Sequence, residues 1–171
     1  MATPQSDGVA PSNTPATTAQ VQLRDAEPSD LPLLYQYQLD PEANRMAATL
    51  PRDRETFHSH WARMLADRTI VSKVILADGL VVGSIGCFKM DGLDAVGYWI
   101  AREHWGRGIA TRALSLLLEE VTIRPLHARA ASTNIASIRV LQRCGFVITG
   151  YRDSPADARF LACEEAELRL S

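Results

Sequence analysis

Cysteine is scarce in this chain, with residues only at 87, 144 and 163, and none belongs to a Cys-x-x-Cys pair. An odd, widely spaced set excludes both a disulfide framework and a structural zinc site. Each cysteine is expected as a small, buried apolar side chain of a cytoplasmic protein. No apolar run approaches the roughly 20 residues of a membrane span. An excess of one charge is missing too, since 18 Lys and Arg face 20 Asp and Glu for a net charge of -2. That balance lacks the basic surplus of a nucleic-acid binder. His58 and His60 stand two apart on an expected helix, about 200° around its axis from each other, so they cannot share a metal. One of them could line an acceptor cleft. Neither the Gly-Lys-Ser/Thr ending of an NTPase phosphate loop nor a full dinucleotide fingerprint occurs.

What remains is enough chain, 171 residues, for one domain with a substantial core. Residues 1–20 are built from Ala, Thr, Pro, Ser and Gln with one aspartate and no apolar run. They are expected as a flexible tail rather than a signal peptide, leaving the domain at 21–171. Val21 opens an alternating strand, and Ser29 or Asp30 can cap a helix running to about Leu39. A second helix is expected after Asp53, with Phe57, Trp61, Met64, Leu65 and Arg68 at helical spacing. Three strands follow, Ile70 to Ala77, Gly79 to Met90 and Leu93 to Ala101, joined by Asp78-Gly79 and Asp91-Gly92 turns that tolerate positive φ. Beyond a central helix come a strand over Leu126 to Ala131, a helix from Asn134 to Cys144, and strands over Gly145 to Tyr151 and Ala158 to Leu170. The order is βααβββαβαββ, an α/β (α+β) arrangement with about four helices.

The most informative stretch joins the third of these strands to the central helix: Trp99-Ile100-Ala101-Arg102-Glu103-His104-Trp105-Gly106-Arg107-Gly108-Ile109-Ala110-Thr111. Two glycines and an alanine at the mouth of a helix leave backbone N–H groups uncovered, and the helix dipole adds partial positive charge. Arg102, Arg107 and Arg112 surround the same turn, and Ala113, Leu114, Leu117 and Val121 give the helix an apolar face. This is a seat for phosphates.

The stretch resembles the pyrophosphate loop of the GNAT N-acetyltransferase superfamily, Arg/Gln-x-x-Gly-x-Gly/Ala. Gly108 and Ala110 occupy the two small positions, and Trp105 stands where Arg or Gln is usual. The form Trp105-Gly106-Arg107-Gly108-Ile109-Ala110-Thr111 is similar to the RimJ/RimL branch. Downstream, Asn134, Ser137, Gly145 and Phe146 match the superfamily's Asn-x-x-Ser…Gly-Phe segment. The resemblance spans Val21 to Leu170 and implies a mixed, mostly antiparallel sheet splayed at its middle strands.

It also implies acetyl-CoA as acyl donor, with no metal. The pyrophosphate would lie on Trp105, Gly106, Arg107, Gly108, Ile109, Ala110 and Thr111. The main chain of Tyr98, Trp99 and Ile100 would hold the pantetheine arm. Asn134 fits two compatible roles, a bond to that arm and the cap of its own helix. Many family members place an acidic tyrosine near the end of that helix, but Leu141 stands there, leaving Ser137, a bound water or Tyr151 as proton donor. Asp94 fits either a general base at the start of the strand or part of the hairpin turn. Arg139 and Arg143 fit the cofactor's 3′-phosphate or a plain surface role.

The implied activity is acetyl transfer to a primary amine, on a protein N-terminus or an amino-acid-like molecule, by a monomer or homodimer. Alternatives are a non-catalytic acyl-CoA sensor and an antibiotic or polyamine acetyltransferase.

Overall fold

The computed structural model describes residues 18–171; most of the tail expected over 1–20 lies outside them. Gln20 is tied to the sheet, its backbone N–H and C=O pairing with the Asp78 side chain and amide, both at 2.9 Å.

Seven strands form one sheet in the order β1-β2-β3-β4-β5-β7-β6. They are β1 (Val21–Asp25), β2 (Val71–Ala77), β3 (Leu80–Met90), β4 (Leu93–Ile100), β5 (Leu126–Ala131), β6 (Val147–Ser154) and β7 (Cys163–Leu170). The two Asp-Gly hairpin turns occur as expected, with Asp78 at φ 51°, Gly79 at 82°, Asp91 at 52° and Gly92 at 80°. Positive φ at both central residues matches the twist of the flanking strands.

The sheet is two half-sheets that barely touch. β3 and β4 pair over eight residues and β5 and β7 over six, all antiparallel, yet β4 and β5 run parallel and share one pair, Ala95 with His127. The expected splay is there.

Helices cover both faces. On one side α4 (Ile109–Glu120) and α5 (Ile135–Arg143) bury Ile109, Leu114, Leu117, Ile138 and Leu141 against Val82, Val96, Leu126 and Leu168. On the other, α1 (Leu31–Gln38) and α3 (Arg54–Ala66) bury Leu34, Phe57 and Trp61 against Val74. α3 starts where the sequence placed it, because Asp53 accepts the Thr56 N–H at 2.8 Å.

Two elements depart from expectation. A fifth helix, α2 (Pro41–Ala47), lies between α1 and α3. Its signal was in the sequence: Asp40 caps Ala43 at 2.9 Å and Pro41 sits in the first turn, where a missing N–H costs nothing. The strand expected over Ala158 to Leu170 begins only at Cys163. The segment before it is a loop, drawn away by the bridge of Phe160 to Thr49 and the bond from Leu50 N–H to the Arg159 carbonyl at 2.7 Å.

Asp30 does not cap α1. Its carboxylate takes a two-pronged bond from Arg24 at 2.7 and 2.8 Å and the Glu27 N–H at 2.8 Å, tying β1 to the start of α1. The Arg24 bond holds the Asp30 carboxyl below the usual carboxylate range, against the opposing effect of burial. The contribution is therefore complete above about pH 4, the unfolded carboxylate value, and is lost as pH falls through the depressed folded value. Asp30→Asn should cost about 1–2 kcal/mol at pH 7, the half-exposed arginine moderating the loss. Urea unfolding at pH 7 and pH 3 checks this: the variant should lose less stability on acidification than the parent.

Candidate active site

Where β4 and β5 part, a cleft of about 500 Å³ opens. One wall is Val96 to Ile100 of β4 and the other is Ala128 to Ala131 of β5, where three of the four side chains are alanine. β4 is bonded to β3 along its other edge, so its gap-side backbone groups beyond Ala95 have no ladder partner in β5. Such groups need partners of some kind.

The glycine loop closes one end of this cleft. Gly106 and Gly108 both sit at φ 72°, and Gly108 is the N-cap of α4 with no side-chain cap bond. A Cβ on either glycine would meet nothing within 4 Å, so the space before the helix is vacant. No acidic residue lies in the first turn. Trp105, Gly106, Gly108, Ile109, Ala110 and Thr111 all line the cleft. Trp105 is fixed by its indole N–H on the Ile100 carbonyl at 2.8 Å. Arg107 does not line it; its guanidinium meets His104 Nδ1 at 3.0 Å and Asp78 at 3.7 Å.

Asn134 performs its capping role, its Oδ1 accepting the Ser137 N–H at 3.2 Å, while it also lines the cleft. Ser137 lines it beside Tyr98, whose hydroxyl lies 2.8 Å from Ser137 Oγ. Burial pushes the Tyr98 phenol up to about 12, so it stays protonated at any working pH. Sequence reasoning used only the main chain of Tyr98; the serine partner of its hydroxyl comes from 39 residues away.

Tyr151 is exposed on β6 and lines neither this cleft nor the second cavity. Asp94 lies four residues before Tyr98, about 13 Å along an extended strand. It is paired with Lys89 at 2.8 Å and lines neither cavity. Arg139 and Arg143, exposed on α5, border the cleft, and among the described residues no carboxylate lines it.

A second cavity, about 250 Å³, lies on the opposite face between α1, α3 and the sheet. Gly97, Tyr98 and Trp99 line both, so β4 is the partition between them. Trp99 is anchored there by its indole N–H on the Tyr37 carbonyl at 3.2 Å, and Tyr37 in turn donates to the Val81 carbonyl at 2.8 Å. His60 lines this cavity and His58 does not. Burial, with the charges of Arg52, Arg63 and Arg159 adding, lowers the His60 imidazole to about 4. Arg52 and Arg159 line the cavity too, and nothing in the sequence pattern singled them out.

Among the described residues no group of three or more His, Cys, Asp or Glu could hold a metal, and no helix is long and apolar enough to cross a membrane.

Known proteins resemble this arrangement in sequence and in fold. YdaF of Bacillus subtilis, provisionally named a ribosomal N-acetyltransferase, is 35% identical over 104 residues, which span 57% of this chain and 57% of that protein. The spermidine N-acetyltransferase of Vibrio cholerae, solved with CoA and spermine, superposes with a TM-score of 0.76 at 16% identity, covering 88% of this chain and 95% of that one. RimJ of Mycobacterium smegmatis, solved with CoA-disulfide, superposes with a TM-score of 0.72 at 21% identity, covering 88% and 81%. The model of the acetyltransferase (GNAT) domain matches residues 20–147, three-quarters of the sequence and every element from β1 to the start of β6, and the chain belongs to that family.

Proposed function

We propose that this protein transfers the acetyl group of acetyl-CoA to a primary α-amine by direct attack, without a covalent enzyme intermediate. The observation that carries this is the vacant, uncapped mouth of α4 at the end of a cleft that runs along the unpaired edge of β4. The diphosphate would rest on the N–H groups of Gly106 to Thr111, and the pantetheine amides on the free backbone of Tyr98 to Ile100. The thioester then reaches the partition of Gly97, Tyr98 and Trp99, with the amine arriving from the smaller cavity. Holding both reactants across one strand supplies much of the rate.

In the reaction the amine lone pair attacks the thioester carbonyl carbon, a β4 N–H steadies the developing oxyanion, and the C–S bond breaks. The amine's extra proton goes to solvent and the thiolate gains one. Water supplies that proton, and Tyr98, hydrogen-bonded to Ser137 beside the cleft, steadies the departing sulfur by a hydrogen bond, since a phenol held near 12 is a weaker acid than the thiol. The demand is modest, because a thiol of pKa near 8.5 leaves readily.

The nucleophile's protonation decides the acceptor. At pH 7 about a tenth of an α-amine is neutral, against about four parts in ten thousand for a lysine. No carboxylate lines the acceptor cavity among the described residues, and an imidazole held near 4 is too weak a base to deprotonate an ammonium group. Both facts favour the terminal amine of a peptide or protein, in keeping with the ribosomal N-acetyltransferase name of YdaF.

Two variants test the scheme. Gly108→Val puts a branched side chain at φ 72° and into the vacant seat, so the CoA dissociation constant by calorimetry should rise about tenfold or more with the circular dichroism unchanged. Unaltered CoA binding would remove the phosphate seat. Tyr98→Phe should lower kcat about tenfold, the loss of one hydrogen bond to the departing thiolate, with KM for acetyl-CoA within about twofold. An unchanged kcat would remove the Tyr98 hydroxyl from the reaction.

A further inference from the structure

The smaller cavity gathers positive charge from two distant loops and holds no negative charge to match it. Arg52 arrives on the linker between α2 and α3, where the buried Gln38 amide grips its backbone from both sides, at 2.7 Å to the N–H and 2.9 Å to the carbonyl. Asn44, also buried, fixes the Gln38 carbonyl at 2.8 Å and the Thr49 hydroxyl at 2.8 Å. Arg159 arrives on the loop between β6 and β7, its backbone carbonyl taken by Leu50 N–H and its guanidinium donating to the Leu50 carbonyl. Both arginines are partly buried.

Neither has an ion-pair partner among the described residues. Asp157, the acid nearest Arg159 in sequence, is turned to the N–H groups of Arg159 and Phe160, both at 2.7 Å. Burial and the neighbouring charge of Arg52 depress even the Arg159 guanidinium, to about 10. A second polar group awaits a partner in the same cavity: Ser72 Oγ is buried without a hydrogen bond. Cations held together out of water are costly unless an anion joins them. A polyamine would meet only repulsion here.

We propose that the acceptor carries a carboxylate beside its amine, with Arg52 and Arg159 gripping the carboxylate so that the amine faces Trp99 and Tyr98. This rests on the transferase assignment and narrows it. The volume of about 250 Å³ lies below the roughly 300–1,000 Å³ of pockets for drug-sized ligands, so the site admits about one residue. The carboxylate is the α-carboxylate of a free amino acid or the side chain of an acidic first residue in a peptide.

The test measures thiol release from acetyl-CoA by the full chain with matched acceptors. One pair is glutamine against its α-amide, with rates taken per neutral amine; another is C-terminally amidated tetrapeptides beginning with Glu or Gln; spermidine is the cationic arm. The expected result is at least about a tenfold higher kcat/KM for the carboxylate-bearing member of one pair, and the pair identifies the source. Arg52→Gln and Arg159→Gln should each erase that preference while leaving the CoA dissociation constant within about twofold. If Arg159→Gln does not fold, the ratios of the parent protein decide alone. Turnover that favours the amides or spermidine overturns the carboxylate assignment and leaves the transferase standing. Absence of thiol release with every amine overturns both.

Discussion

Everything at the site depends on β4 letting go of β5 after a single residue pair. Each strand is secured on its outer side, β4 by β3 and β5 by β7, so the parting does not loosen either half-sheet. What keeps the halves together is the apolar core beneath them. α4 buries Ile109, Leu114 and Leu117 in a cluster that includes Val96 and Ile100 from one half and Leu126, Ala128 and Leu168 from the other. The hydrophobic effect is non-directional and supplies this cohesion without closing the backbone ladder. The sheet thus presents a row of unsatisfied peptide groups in a slot, which suits a ligand tail bearing amides of its own.

In the proposed scheme the same strand separates two chemistries. Its α5-facing side chains, Val96, Tyr98 and Ile100, line the donor cleft, whereas Trp99 is tied through its indole to α1 beside the acceptor cavity. Alternation along one strand is sufficient to place both sets within a few ångströms of a common backbone. A strand also resists distortion better than a loop, so the transfer point is rigid where alignment counts most. The adaptable parts are peripheral: the linker carrying Arg52 and the loop carrying Arg159 come from segments more than a hundred residues apart, joined at Leu50.

The lining of the larger cleft was legible in the sequence because its signals are local: Gly106, Gly108 and Ala110 occur within five residues, and Asn134 and Ser137 within one helical turn, short patterns to which the family resemblance could attach. α2 was legible too, through Asp40-Pro41, but its short apolar content gave no periodicity to notice. The β7 boundary was not: Ala158 to Ala162 are apolar enough to continue a strand, and only the tertiary bridge to Thr49 pulls them aside. For the same reason most of the second cavity stayed hidden: of its lining only His60, as one of a histidine pair, was picked out, and Arg52 and Arg159 are unremarkable one by one, their meaning lying in convergence. Asp94, conspicuous at a strand start, is occupied by Lys89 across its hairpin.

Convergence of cations also answers how an amine could react where no carboxylate stands ready as a base. A positive surrounding disfavours the ammonium form and lowers the amine's pKa, as the charges of Arg52, Arg63 and Arg159 add to burial in lowering His60. In the proposed reaction a bound carboxylate would partly cancel that field, so its placement matters: it must face the guanidinium groups while the amine sits toward β4. An acceptor with its charges so divided is held by one end and kept reactive at the other. A lysine side chain or polyamine gains nothing from the arginines and begins more than two pKa units further from neutrality than the terminal amine of a peptide. Charge selection and nucleophile activation are then two consequences of one arrangement, which explains why partly buried arginines are worth keeping without partners.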